Sequence, residues 1–410
     1  MVKFVKIKVY RLADGTTRNV LVYDEGHAGT PLFHSNLYLS FPAIRHKPFN
    51  TQKQILRAIM SAFAWGVRDG VDFESCLLSR DYLNEASIVS LCDAMLLKYR
   101  PLKEQAASLS AAREKGQTLK LIPFPDKGNN VSAGTANARI DYVAGYFEWL
   151  GKRAIKSLDY RKRQGFEEQF EDMLEVFENC KRSGTLSVPT MPLSDEAEQF
   201  LTQAIEPGSV YNVWAPEAQL RNYLILQIYL QTAMRRAEVL ALRVKDFERE
   251  NNILNLVKRD NDPEDPRIEK PGVKTVSRTL PLTPKVSALL QQYISSVRTQ
   301  HKAARKHPFL LTSLQDGQPL SLAAVSKLVG ALTVHPLLED LTPHVLRHTW
   351  NDRFLRDCAE DGVDSTLAAA YQRRFCGWSS TSAMPATYTE AEAMRRFREL
   401  AVKRQEGYSK

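Results

Sequence analysis

Apolar residues recur along this chain at two different spacings, and the change of spacing marks its parts. In residues 2–23, VKFVKIKVYRLADGTTRNVLVY, apolar and polar positions alternate on either side of Asp14-Gly15, a turn pair, which predicts a β-hairpin. From Asn50 the spacing changes to helical. Ile55, Ile59, Phe63 and Val67 fall four apart on one face, and Gly70 stops the pattern. TANARIDYVAGYFEWLGKR (135–153) repeats that design with Ile140, Val143, Tyr146/Phe147 and Leu150. Between the two, residues 101–134 carry clusters of Pro, Gly and Asn and read as a long loop. A further helix is expected over 164–182, followed by KRSGTLSVPTMPLS, whose Gly, Ser and Pro content marks a linker between domains.

Beyond the linker, helical patterns are expected over 195–205, 217–231, 236–243, 285–300, 320–333, 343–358, 364–375 and 390–405. Short β-like pieces fall at 251–258 and 273–282. The fold class is therefore mostly α with small β-sheets, in more than one domain. The expected division is a small N-terminal β element (1–45), a helical domain (46–183), a linker (184–193) and a second domain (194–410) of helices with a little sheet. There is no internal repeat.

Composition narrows the function classes. With 410 residues, 43% hydrophobic and 25% charged, the chain is long enough for two or three globular domains. No apolar run approaches the roughly 20 residues a membrane span needs, and the alternating start is not a signal-peptide core. The expected setting is cytoplasmic and nucleoid-associated, with no membrane partner. Five cysteines without a CxxC pair suggest neither a metal site nor a disulfide framework. No metal and no cofactor are expected. The net charge of +9 favours a polyanionic partner, of which nucleic acid is the commonest for a soluble basic protein.

Four stretches carry candidate chemistry. In LTPHVLRHTW (341–350) Thr342 is a fitting N-cap and Pro343 suits the first helical position, so His344 and Arg347 lie one turn apart on a single face. His348 and Asn351 share that polar stripe, whereas Leu346, Trp350 and Phe354 point toward a core. TAMRRAEVLALRVKDF (232–247) sets Arg235 and Glu238 three apart at a helix junction. KTVSRTLPLTP (274–284) looks like the second strand of a hairpin with a basic tip. FCGWSSTSAMPATYTE (375–390) places Trp378 after a glycine and Tyr388 ten residues later. Taken singly, each has a plain alternative: a helical salt bridge, a solvated lysine loop, a core tryptophan, a surface phenol.

Taken in order, these stretches resemble the tyrosine recombinase, or phage integrase, family. That family runs an arginine in TGxRxxE, a lysine on a β-hairpin, HxxR after an LTPH-like helix start, His or Trp after Gly, and then a tyrosine. The matching positions are Arg235, a lysine at 270–274, His344, Arg347, Trp378 and Tyr388, and the resemblance covers residues 194–395. Three departures stand out. Ala233 replaces the usual glycine, Trp378 stands where most bacterial members have histidine, and the interval from Trp378 to Tyr388 is one residue longer than usual.

The resemblance implies a DNA clamp. A helical core-binding (SAM-like) domain at 46–183 would join a mixed α/β tyrosine-recombinase catalytic domain at 194–410. The implied activity is site-specific recombination or integration through a 3′-phosphotyrosine and a Holliday junction. The implied partners are duplex DNA carrying specific sites, further copies of the chain in a tetramer, and accessory DNA-bending or directionality proteins. The same chemistry used for relaxation or telomere resolution, or a non-cleaving DNA-binding accessory, are the alternatives.

The residue types suit that reaction. A phenol oxygen that forms a phosphotyrosine stores the energy of the broken bond, so neither metal nor ATP is needed. Two guanidiniums, Arg235 and Arg347, suit the charge gathering on the phosphate oxygens. His344 would accept or share the phenol proton, and the indole N–H of Trp378 would hold a phosphate oxygen. Glu238 would orient His344 or Arg235. The family's lysine donates a proton to the leaving 5′ oxygen; Lys274, at the start of the returning strand, is the choice over Lys270 in the loop EDPRIEKPG. His348 is read as a packing histidine. Tyr371, the nearest competitor of Tyr388, precedes the Gly-Trp pair. A narrow apolar stripe in TEAEAMRRFREL (389–400) either packs on its own domain or, as the resemblance implies, docks on a neighbouring protomer.

Overall fold

A computed structural model describes residues 3–25, 29–117, 128–183, 190–259, 262–273, 275–382, 384–386 and 388, without the side chains of 160 and 162. The chain divides into two compact units, Met1–Ser187 and Val188–Lys410.

The first unit opens with the hairpin, β1 (Val5–Arg11) and β2 (Thr17–Tyr23), paired antiparallel from Val5↔Tyr23 to Arg11↔Thr17. Its turn is held by the Asp14 carboxylate, which accepts from the Thr16 N–H at 2.9 Å. Two short helices follow, α1 (Phe33–Ser40) and α2 (Pro42–Arg45), and then the central helix α3 (Phe49–Asp69). Ile55, Ile59, Phe63 and Val67 are buried as their spacing predicts, and so are Leu56, Ala58, Ala62 and Trp65 on other faces, because neighbours surround α3. Val5 and Leu21 of the hairpin belong to the same core.

Helices α4 (Phe73–Ser79) and α5 (Glu85–Ala94) start on side-chain caps from Asp72 and Asn84. Next comes α6 (Tyr99–Glu114), which corrects the loop expected over 101–134. Pro101 lies in the first turn, where its missing N–H would have had no helical partner. The buried stripe of α6 is Leu102, Ala106 and Ala112, too small a set of side chains to register as apolar periodicity. α7 (Ala133–Lys156) and α8 (Tyr160–Asn179) close the unit. They pack closely at Gly151, where an added Cβ would stand 2.3 Å from the Phe170 ring.

The second unit contains α9 (Asp195–Ile205), capped by Ser194, then α10 (Pro216–Thr232) and the short α11 (Arg236–Ala241). A three-stranded antiparallel sheet follows in the order β3 (Phe247–Glu248), β4 (Ile253–Leu256), β5 (Arg278–Pro281), with Leu254 opposite Leu280. These strands are shorter than the expected 251–258 and 273–282. The unit continues with α12 (Pro284–Gln292), α13 (Leu322–Gly330), α14 (Pro343–Glu360) and α15 (Ser365–Cys376). α10, α12 and α14 each begin with proline at the first helical position, where its fixed φ is already helical. α10 forms the middle of the core: Leu224, Ile225, Leu226, Ile228 and Tyr229 are all buried against α9, α12 and α14. Leu346 faces this core. Trp350 instead stacks between Phe354 and Phe375 in a smaller cluster that also holds Trp378 and Tyr388. Among the described residues no helix is long and apolar enough to cross a membrane.

Candidate active site

The site is built where α11, β5, α14 and α15 meet. α10 ends at Ala233, whose φ of 48° lies in the left-handed region, at a cost of about 1 kcal/mol or more for a residue with a Cβ. That turn brings Arg235 to the N-cap of α11. The Arg235 N–H donates to Glu238 Oε2 at 2.7 Å. Glu238, fully buried, also accepts from Arg278 Nη2 at 3.0 Å and from the Thr275 hydroxyl. Burial pushes its carboxyl up, but the hydrogen bond and charge of Arg278, with Thr275 and the Arg235 N–H, outweigh burial and hold it below the usual range. Glu238 thus holds Arg235 through its backbone N–H and also by an ion pair to Nη1 at 3.8 Å, and none of its described contacts reaches His344.

α14 starts as its sequence predicts: the Thr342 hydroxyl accepts from the Val345 N–H at 3.1 Å, with Pro343 next in line. One turn in, Arg347 is 3% exposed, donates to the Ala233 carbonyl, and lies 5.5 Å from the Trp378 ring centre. Asn351 braces it from the following turn, donating to the Arg347 carbonyl at 2.7 Å and accepting from the Cys376 thiol at 3.2 Å. Burial and then the charge of Arg347 lower the pKa of Arg235, so two guanidiniums repel each other at close quarters. Both Arg235 Nη1 and Trp378 Nε1 are buried without a hydrogen-bond partner among the described residues. Arg235 Nη1 keeps only a 3.8 Å ion pair to Glu238; buried donors are nearly always hydrogen-bonded, so two that are not, beside two like charges, suit an anion.

Trp378 owes its place to Gly377, which ends α15 at φ 65°. A Cβ there would stand 2.5 Å from Arg278 Nη1. The indole stacks on Tyr388, with ring centroids 5.7 Å apart and 14° between planes. The Tyr388 hydroxyl lies 3.0 Å from His348 Nδ1, and His348 Nε2 lies 2.9 Å from His344 Nε2. Burial pushes the Tyr388 phenol up to about 12 against the pull of Arg347 and Arg235. Burial, His344 and Arg347 bring His348 down to about 4, and burial with Arg347 and Arg235 lowers His344. Both imidazoles are therefore neutral at neutral pH.

Arg235, Glu238, Arg347, Trp378 and Tyr388 therefore converge, and His344 reaches Tyr388 through His348. His348, read from sequence as a packing residue, lies one turn beyond His344 and meets the Tyr388 hydroxyl, which comes to it from a distant segment. Lys274 lies outside the described residues, as does the 389–400 stripe. Lys270 is buried and donates to the Asp262 carbonyl at 2.8 Å. The expected basic tip is stitched down, with Asp262 and Glu264 paired to Arg243, and Asp265 to Arg267. Tyr371 is exposed on α15. Arg278 and Thr275 escaped sequence reasoning, since nothing local ties them to a glutamate 40 and 37 residues away.

Parts of this chain are similar to known proteins. The phage integrase family model matches residues 193–395. Transposase A of transposon Tn554 from Staphylococcus aureus is 26% identical over 140 residues, 33% of this chain and 37% of that one. Tyrosine recombinase XerA of Saccharolobus solfataricus is 24% identical over 165 residues, 40% of this chain and 47% of that one. Each match spans less than half of the curated relative. Among solved structures, the Tn1549 transposon integrase in complex with transposon right end DNA has a TM-score of 0.48 at 18% identity, covering 90% of this chain and 100% of that one. A lambda integrase dimer bound to a core site has a TM-score of 0.45 at 13% identity, covering 87% and 94%. Over residues 193–395 the chain belongs to the phage integrase family of tyrosine recombinases.

Proposed function

We propose that this protein is a site-specific DNA recombinase that cleaves and rejoins strands through a covalent 3′-phosphotyrosine on Tyr388. One observation carries the reading: a buried phenol with an imidazole 3.0 Å from its hydroxyl lies in one cluster with Trp378 and the arginines, where Arg235 Nη1 and Trp378 Nε1 have no hydrogen-bond partner among the described residues. A phosphodiester there would take hydrogen bonds from Arg235 and Trp378 and charge from Arg347, the groups that best stabilise a five-coordinate phosphate. Tyr388 attacks phosphorus, the 5′ oxygen leaves with a proton from Lys274, and reversal with a different 5′ hydroxyl rejoins the strand. Neither metal nor nucleotide takes part.

Duplex DNA is the substrate on this reading. The helical unit, residues 46–183, and the catalytic unit, residues 194–410, close on it as a clamp, and a tetramer on paired sites exchanges strands through a Holliday junction. Accessory DNA-bending or directionality proteins would choose between integration and excision. The test uses a pool of nicked duplexes with randomised cores, in which cleavage releases a short fragment and traps the covalent species. The wild-type chain forms an adduct stable to denaturing gel electrophoresis, and Tyr388→Phe forms none while binding DNA equally well. A wild-type chain that binds but never becomes attached would make it a non-cleaving accessory, and an adduct persisting in Tyr388→Phe would move the nucleophile elsewhere.

A further inference from the structure

We infer that His348 takes the proton of Tyr388 as the phenol attacks, and that His344, the histidine of the HxxR pair, is the next station on the way to solvent. The inference rests on the recombinase reading and assigns a group within it. The geometry is a row of three. Tyr388 Oη and His348 Nδ1 are 3.0 Å apart, and His348 Nε2 and His344 Nε2 are 2.9 Å apart. The two imidazole planes stand at 89° with their centroids 4.3 Å apart. Beyond them, exposed His344 lines a cleft of about 540 Å³ together with Glu339 and Asp340.

Hydrogen-bond accounting leaves one arrangement able to react. A phenol that is to lose its proton must donate to a bare Nδ1 on His348. The His348 proton is then on Nε2 and donates to a bare Nε2 on His344, whose own proton is on Nδ1. On attack the phenol O–H bond breaks and the O–P bond forms. The proton passes to His348 Nδ1, and the Nε2 proton moves on to His344. The P–O5′ bond breaks, and its oxygen takes a proton from the lysine ammonium. Rejoining runs the same steps backwards.

Burial and Arg347 hold both imidazoles neutral, helped by Arg235 at His344 and by His344 at His348. The arriving phosphate offsets Arg235 and Arg347, so the row gains basicity only when substrate is seated. Nothing else among the described residues accepts from Tyr388 Oη, and His344 makes no described contact with it.

The test is single-turnover cleavage of a nicked duplex selected as a wild-type substrate. His348→Asn places an amide oxygen near the Nδ1 position, so it can hold the phenol but cannot carry its proton. The expected loss is about 100-fold, the lower end for general base catalysis. Replacing Tyr388 by a fluorinated tyrosine, whose proton leaves more easily, should recover at least 10-fold of that loss. The same replacement should leave the lysine variant Lys274→Ala as slow as before. Near wild-type cleavage by His348→Asn would reduce His348 to a positioning residue. Fluorotyrosine rescue of His344→Ala but not of His348→Asn would hand the role to His344. Failure of the recombinase reading looks different, because the wild-type chain itself then yields no adduct.

Discussion

Replacing Glu238 by glutamine keeps the shape of the side chain and an oxygen for the Arg235 N–H, but removes the charge facing Arg278. The Arg278 side chain is 5% exposed and that of Glu238 fully buried, so the variant leaves a guanidinium without its counterion in the interior. Breaking a buried ion pair from one side costs about 3–5 kcal/mol. The lower figure applies here, because Arg278 Nε keeps its bond to the Phe375 carbonyl at 2.6 Å. For a unit of this size, about 3 kcal/mol lowers the melting midpoint by about 6–12 °C. The pH dependence supplies a second reading. The folded-state pKa of Glu238 lies below the ordinary value of 4.5, so the native unit binds fewer protons at this site than the unfolded chain. Its stabilisation is then fully present above the unfolded value and is lost as pH falls through the lower folded value. The gap between wild type and Glu238→Gln should be full at pH 7 and shrink below about pH 4, the ordinary glutamate range. Thermal unfolding of both proteins across pH 3–7 measures it. A gap below 1 kcal/mol at pH 7, or one that widens in acid, would refute the account of how Arg235 is held.

Three further outcomes are expected. Gly377→Ala meets a left-handed φ and the Arg278 guanidinium at once, so it should destabilise the catalytic unit by about 2 kcal/mol and cut adduct formation at least 10-fold; urea unfolding beside the cleavage assay checks this. Lys274→Ala should be slow on ordinary DNA and recover on DNA whose bridging 5′ oxygen is sulfur, a leaving group that needs no proton, whereas Lys270→Ala should lose stability without that pattern. DNA affinity should fall steeply with salt, log affinity dropping by roughly 0.9 per phosphate neutralised for each unit of log salt, and a flat titration would contradict a clamp.

The parts of this fold that were readable from sequence are those specified locally. Thr342-Pro343 starts α14, Ile55 to Val67 mark the buried face of α3, and the His344–Arg347 spacing places both on one side of a helix. α6 escaped because its inward face is mostly alanine and its proline stands in the one turn that tolerates it. The site was legible as a set of residue types but not as contacts. Arg278 and Glu238 are neighbours only after β5 folds against α11. His348 sits in the motif itself, yet its role depends on a tyrosine 40 residues away. That Arg235 Nη1 and Trp378 Nε1 lack hydrogen-bond partners among the described residues is visible only in the folded site.

Arg278 has a consequence in time. It joins Glu238 of α11, 40 residues before it, to the Phe375 carbonyl of α15, 97 residues after it. A chain leaving the ribosome therefore displays its arginines and its HxxR helix long before the segment that braces them exists, and Tyr388 emerges later still. Contacts of such long sequence separation form slowly and together. Strand-breaking competence on the proposed reading then switches on as a single late event of folding, and an interrupted chain is a DNA binder without a blade.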